Sequence, residues 1–303
     1  MKRLWVIISL FLLSGCKFDS PEERERPLIV VTTSILQDGV SHLVGDLADV
    51  VALMPSGVDP HLYKASVRDL DLLQNANLVI YHGLYLEGKM TEIFEKLSVQ
   101  KDLINASEGI DPDALIKSGT EAHAVDPHIW FDVELWAKAM NHVSLELSEW
   151  QPAWNNELNS NNEAYQEELK ELDGEIAVKV KELRQSNQAL ITAHDAFAYF
   201  GKAYGLDVKG LQGLSTLSEP GLRDLTGLVN FIVQNDIKAV FAEQTISPKA
   251  IEAVVAGCAN QNHVISLSGP LFTDSLDAPG TSAGTYTGMV KTNMEIIYNS
   301  LLP

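Results

Sequence analysis

Residues 162–184 read NEAYQEELKELDGEIAVKVKELR. Tyr165, Leu169, Leu172, Ile176, Val180 and Leu183 recur at steps of three and four, with charged residues filling most of the positions between. A helix turns once in about 3.6 residues, so this spacing gathers the apolar side chains on one face and sets the charges opposite. The stripe covers about three heptads, short of the four that would argue a coiled coil. It is predicted to be one rigid amphipathic helix. Its place near the middle of a 303-residue chain, at roughly 150 residues per domain, makes it the joint between two lobes.

On the N-terminal side the run LIVVTTSI from Leu28 is continuous and β-branched, the pattern of a strand buried on both faces. A helical stretch through Val44 follows, then an apolar strand near Val50 to Met54 and a third, ANLVIYHG, stopped by Gly83. The C-terminal side repeats the theme. QALITAHDAFAYFGKAYG reads as strand, turn, helix and glycine stop, while IKAVFAEQTIS and NHVISLSG each read as a strand entering a loop. Strands alternating with helices predict an α/β fold, with a mainly parallel sheet flanked by helices in each lobe. The expected division is an N-terminal lobe over 28–155, a linking helix over 156–186 and a C-terminal lobe over 187–303.

The N-terminus bears on the compartment. Lys2 and Arg3 precede an apolar run from Leu4 to Leu13, and Leu13-Ser14-Gly15-Cys16 follows. The run is about half of the roughly 20 residues that a bilayer crossing needs, so 1–15 reads as a signal peptide. The cysteine placement resembles a bacterial lipobox, which makes Cys16 the expected lipidation site and the new N-terminus. Residues 16–27, charged and poor in apolar groups, read as a flexible tether between lipid and fold. The expected location is outside the cytoplasm, on a bacterial membrane. Cys258 is the only other cysteine, so no intramolecular disulfide forms once Cys16 is lipidated. A formal charge of -19 repels phosphate backbones and excludes nucleic acid as a partner.

Two tripeptides are alike, Asp59-Pro60-His61 and Asp126-Pro127-His128. Proline holds the aspartate before it in an extended conformation, so each histidine leaves a stiff turn. Pre-organised ligands lose less entropy when they bind a metal. Asp59 and Asp126 are candidates to orient those imidazoles through their other nitrogen. His194 follows the strand in LITAHDAF and Asp274 follows the one before SGPLFTDS, where ligands of open α/β sheets gather. His61, His128, His194 and Asp274 together would make a four-coordinate zinc site. Asp274 alone reads equally well as a helix cap or a loop aspartate. His42, His82, His142 and His263 read as structural, and His123 reads as a loop histidine, with accessory ligation as its alternative.

With VVTTSILQDGV, GVDPHLY, DPHIWFD, ITAHDAFAYFGKAYG, LSEPGLRDL, FAEQTIS and LFTDSLDAPGTSAGTYTGMVKTN in order along nearly the whole chain, the sequence resembles the zinc/manganese solute-binding proteins of ABC importers, bacterial solute-binding protein family 9. The resemblance implies two α/β lobes joined by one long helix, with a metal between them held by His61, His128, His194 and Asp274. It implies a receptor that hands a divalent ion to a permease; with the lipobox this receptor is expected to be lipid-anchored, to act as a monomer and not to be an enzyme. Manganese-preferring members resemble this pattern with glutamate at the third position. His194 stands there, which points to Zn2+, with Mn2+ as the alternative. The long histidine-rich loop of many zinc-specific members is missing, since GTEAHAVDPH offers only His123. Glu219 and Glu243 fall in matching segments and are expected to hydrogen-bond in the cleft or meet the permease. Two rival readings are a zinc hydrolase, disfavoured because there is no HExxH pairing of ligand and base, and a surface adhesin.

Overall fold

In the computed structural model, which describes residues 26–117, 125–186 and 188–302, the run LIVVTT forms strand β1 (Leu28–Thr33) with every residue buried. Helix α1 (Ser34–Val44) follows at once, its first turn capped by Thr33 Oγ1, which accepts the N–H of Leu36. Strand β2 (Asp49–Met54), helix α2 (Val67–Asn75), strand β3 (Leu78–Tyr81), helix α3 (Thr91–Leu97) and strand β4 (Leu103–Asn105) complete the first sheet. All its pairings are parallel and its strand order is β2-β1-β3-β4. Helix α4 (Val133–Trp150) then leads through a short 3-10 turn into α5 (Asn155–Leu183).

Beyond α5 the pattern recurs. Strand β5 (Leu190–His194), helix α6 (Ala198–Tyr204), strand β6 (Val208–Gln212), helix α7 (Leu222–Gln234), strand β7 (Ala239–Glu243), helix α8 (Lys249–Asn260) and strand β8 (Ser266–Leu271) give a second parallel sheet in the order β6-β5-β7-β8. Both sheets therefore reverse direction beside their first strand. In open α/β sheets such a reversal leaves a crevice at the carboxyl ends of the strands. Helix α6 stops at Gly205, whose φ of 71° is the left-handed conformation that glycine adopts without a side-chain clash.

The 29-residue α5 carries the joint. Tyr165, Leu169, Leu172, Ile176, Val180 and Leu183 are all buried on it, as the spacing predicts. It begins about two turns earlier than the apolar stripe suggests, because Asn155–Asn161 is polar apart from the buried Leu158. The stripe lies in one continuous hydrophobic cluster that also takes in Ile29 of β1, Trp136 of α4, Leu190 of β5 and Ile297 of the last helix, α9 (Tyr286–Leu301). Tyr286 at the start of α9 stacks on Trp136, ring centroids 5.1 Å apart. The C-terminal helix thus returns to the first half of the molecule.

Strands β4 and β6 were not expected from sequence: β4 is only three residues, and VKGLQ in β6 buries a single side chain, Leu211. Cys16, His123, the predicted signal peptide and most of the predicted tether lie outside the described residues. Among the described residues no helix is long and apolar enough to cross a membrane.

Candidate metal centre

His61 sits in the turn after β2. Asp59 Oδ1 accepts the His61 backbone N–H at 2.8 Å, and Asp59 Oδ2 accepts the Thr216 hydroxyl at 2.6 Å from the loop after β6. Both bonds fix the turn. The expectation that Asp59 would orient an imidazole is not met, since its oxygens hold the turn and a loop of the second half instead.

The second DPH turn starts in the same way, with Asp126 Oδ1 accepting the His128 N–H at 2.9 Å. Here the same oxygen also takes the ring Nδ1, at 2.7 Å. A carboxylate only accepts, so Nδ1 of His128 carries the proton and Nε2 keeps its lone pair. His82, buried behind this turn, donates Nε2–H to the Pro127 carbonyl at 2.7 Å and packs edge-on against Trp130. Burial pushes the His82 ring down to about 4, so it stays neutral.

His194 ends β5, and Glu243 ends the neighbouring β7. Thr192 of β5 pairs with Phe241 of β7, which brings His194 and Glu243 level at the reversal of the second sheet. Glu243 Oε1 accepts the His194 backbone N–H at 2.8 Å and Oε2 takes its ring Nδ1 at 2.5 Å. Of the cleft or permease roles expected for Glu243, the cleft hydrogen bond is the one observed. Its direct grip on the imidazole was not foreseen. The sequence carried only a faint signal, since both residues end strands but the adjacency of those strands comes from the sheet. Glu219 is exposed in the loop before α7.

Asp274, after β8, completes the group. His61 Nε2 lies 3.3 Å from His128 Nε2, and His194 Nε2 lies 3.4 Å from it. The Asp274 oxygens stand 3.5 Å from the Nε2 atoms of His128 and His194. One donor atom from each of the four residues falls within 4.8 Å of the others, and all four side chains are buried. Neither Asp274 oxygen has a hydrogen-bond partner. A buried carboxylate without partners is costly unless a cation neutralises it. Three imidazole Nε2 atoms around it, once free of any second proton, suit a transition-metal cation.

Burial opposes charge on these groups, and the neighbours decide the outcome. Burial pushes the His61 ring down to about 3, against the pull of Asp274. Burial alone would raise the Asp274 carboxyl, but the His194, His61 and His128 rings hold it below the usual carboxylate range. Burial would also lower His194, yet the Glu243 and Asp274 carboxylates outweigh it and hold the ring well above the usual histidine value. The surroundings of His194 thus favour a second proton on its ring, whereas those of His61 oppose one.

Among the described residues the other histidines lie outside this group. His42 stacks on Tyr165, and its Nδ1 meets the Asp38 carbonyl at 2.8 Å. His263 bonds the Ile237 carbonyl, and His142 lies on α4 away from the centre.

Comparison with known proteins places this geometry. The chain is 40% identical over 298 residues to the manganese-binding lipoprotein MntA of Bacillus subtilis, covering 98% of this chain and 97% of that protein. It is also 40% identical over 276 residues to the zinc-binding protein TroA of Treponema pallidum, covering 91% of this chain and 89% of the relative. The solved structure of the periplasmic zinc-binding protein TroA from T. pallidum superposes with a TM-score of 0.88 at 39% identity, covering 92% of this chain and all of that one. The family model for ZnuA, the periplasmic component A of zinc-uptake complexes, matches residues 29–300, and with a centre of this kind between its two sheets the chain belongs to that family of metal-binding receptors.

Proposed function

We propose that this protein binds one divalent transition-metal ion through His61, His128, His194 and Asp274, zinc in preference to manganese, and delivers it to the permease of an ABC importer. The observation that carries the reading is the meeting of three imidazole Nε2 atoms with a buried carboxylate that has no hydrogen-bond partner. Relatives at equal identity are named for different metals, MntA for manganese and TroA for zinc, so overall similarity does not choose the cargo. The donor set favours zinc. With Zn–N bonds of about 2.0–2.1 Å, the edge of a tetrahedron is about 3.3 Å, close to the 3.3 and 3.4 Å between Nε2 atoms. A four-residue protein shell also leaves no position for a reacting water, which supports carriage over hydrolysis. Lipidation at Cys16, anchorage outside the cytoplasm and action as a monomer complete the reading.

The test is competitive titration of metal-stripped protein with zinc and manganese offered together, alongside His194→Ala. One tightly held zinc per chain, greatly weakened in the variant, is the expected result. Preference for manganese would keep the receptor and change its cargo. Absence of any tight metal would overturn the proposal.

A further inference from the structure

Asp274 follows a strand of the second sheet, yet the backbone around it is fastened to the first half. The indole Nε1–H of Trp130 donates to the Thr273 carbonyl at 2.8 Å. Gly57 N–H donates to Ser275 Oγ at 2.8 Å, Leu276 N–H donates to Ser34 Oγ at 2.9 Å, and Ser56 Oγ–H donates to the Asp277 carbonyl at 2.7 Å. From Thr273 to Asp277, every residue but Asp274 is thus pinned by a group that precedes α4. The Asp274 oxygens accept no hydrogen bond and face only the His128 and His194 Nε2 atoms at 3.5 Å, so the segment that carries Asp274 largely decides where its carboxylate lies.

Trp130 is the deepest of these anchors, 1% exposed in the 3-10 turn directly after His128. Its ring meets the His128 imidazole edge-on, centroids 5.2 Å apart, and its own carbonyl accepts the Tyr286 hydroxyl at 2.8 Å. One side chain therefore touches a histidine of the centre and holds the backbone next to its carboxylate.

We propose that Trp130 is a positioning residue of the metal centre: its indole N–H ties the Thr273–Asp277 segment to the first half and so sets where Asp274 meets the ion. The proposal rests on the metal-receptor reading above. Removing the donor leaves a buried carbonyl unsatisfied and frees the segment to shift, which a ligand with no other support follows. While the tie holds, Asp274 is kept in register with His61 and His128 of the first half; without it the carboxylate is free to leave that register.

Cobalt(II) provides the test, because its visible absorption reports the ligand set directly. Trp130→Phe keeps an aromatic ring and removes the donor. Cobalt affinity is expected to fall about tenfold or more, and the visible band to move toward that of Asp274→Ala. The double variant Trp130→Phe/Asp274→Ala should bind no more weakly than Asp274→Ala alone, since there is no longer a carboxylate to position. A wild-type band in Trp130→Phe, or full additivity in the double variant, would overturn the proposal. Should Trp130→Phe not fold, Ser56→Ala tests the other end of the segment at a half-buried site, where an unshifted band is equally fatal. Wild-type protein that binds no cobalt would instead sink the receptor reading on which the proposal stands.

Discussion

Carboxylates set the tautomer of two imidazoles in the centre, Asp126 at His128 and Glu243 at His194. Such partners orient a ligand and raise its basicity. Glu243→Gln keeps the size and loses the charge, and zinc affinity measured against a competing chelator should drop about 10- to 100-fold. The same change removes the main support for the second proton on His194. In the parent protein His194 is held above its ordinary value, so at neutral pH an incoming metal must displace that proton from Nε2. Affinity therefore rises with pH, by up to about tenfold per unit for one displaced proton. His61, pushed down to about 3, carries no second proton and adds no pH dependence near neutrality. Titrations from pH 5.5 to 7.5 should show this slope, flattened in Glu243→Gln, and calorimetry in buffers of different ionisation heat should count about one proton released per metal. A profile flat in the parent protein would contradict the proton on His194. The four residues that the structure gathers were legible as candidates in the sequence because each follows a strand or a proline-stiffened turn, where local rules apply. The partner of His194 lies 49 residues away, and only the pairing of β5 with β7 brings it near. Asp59 shows the opposite limit. Its tripeptide matches that of Asp126, but the bond it makes to Thr216 depends on a loop that no local pattern announces.

At the scale of elements, the carboxyl ends of strands do the gathering. β5 delivers His194, β7 delivers Glu243, β2 leads to His61 and β8 to Asp274. The fully buried strands were readable as continuous apolar runs, while β4 and β6 were not, being short or mostly half-exposed and held by their neighbours' hydrogen bonds more than by their own side chains. The stripe of helix α5 was readable from its spacing, while its polar first turns lie outside that stripe, within the linking helix expected over 156–186. Within it, Gly174 is exposed, and a Cβ there would meet nothing within 4 Å. Gly174→Ala removes conformational freedom from the unfolded chain without a clash, and should stabilise the protein by about 0.5–1 kcal/mol in chemical denaturation. Unchanged or lower stability would mean that the helix needs a weak point at this residue.

Across the whole molecule one hydrophobic cluster runs from β1 through α4 and α5 to β5 and α9. Two lobes that share a core and a continuous helix resist wide hinge motion more than lobes on a flexible strand pair. Small-angle scattering of metal-free and zinc-loaded protein should therefore give nearly equal radii of gyration, and a large contraction on loading would contradict the rigid joint. Metal that binds only the folded state must also stabilise it. Thermal unfolding should move to higher temperature with excess zinc in proportion to the logarithm of its concentration. The site residues stand at positions 61, 128, 194 and 274, with the last mounted on a segment that the first half anchors. During synthesis no short stretch of the growing chain holds more than one of them. The full set of four is therefore present only after Asp274 has been made, close to the end of synthesis.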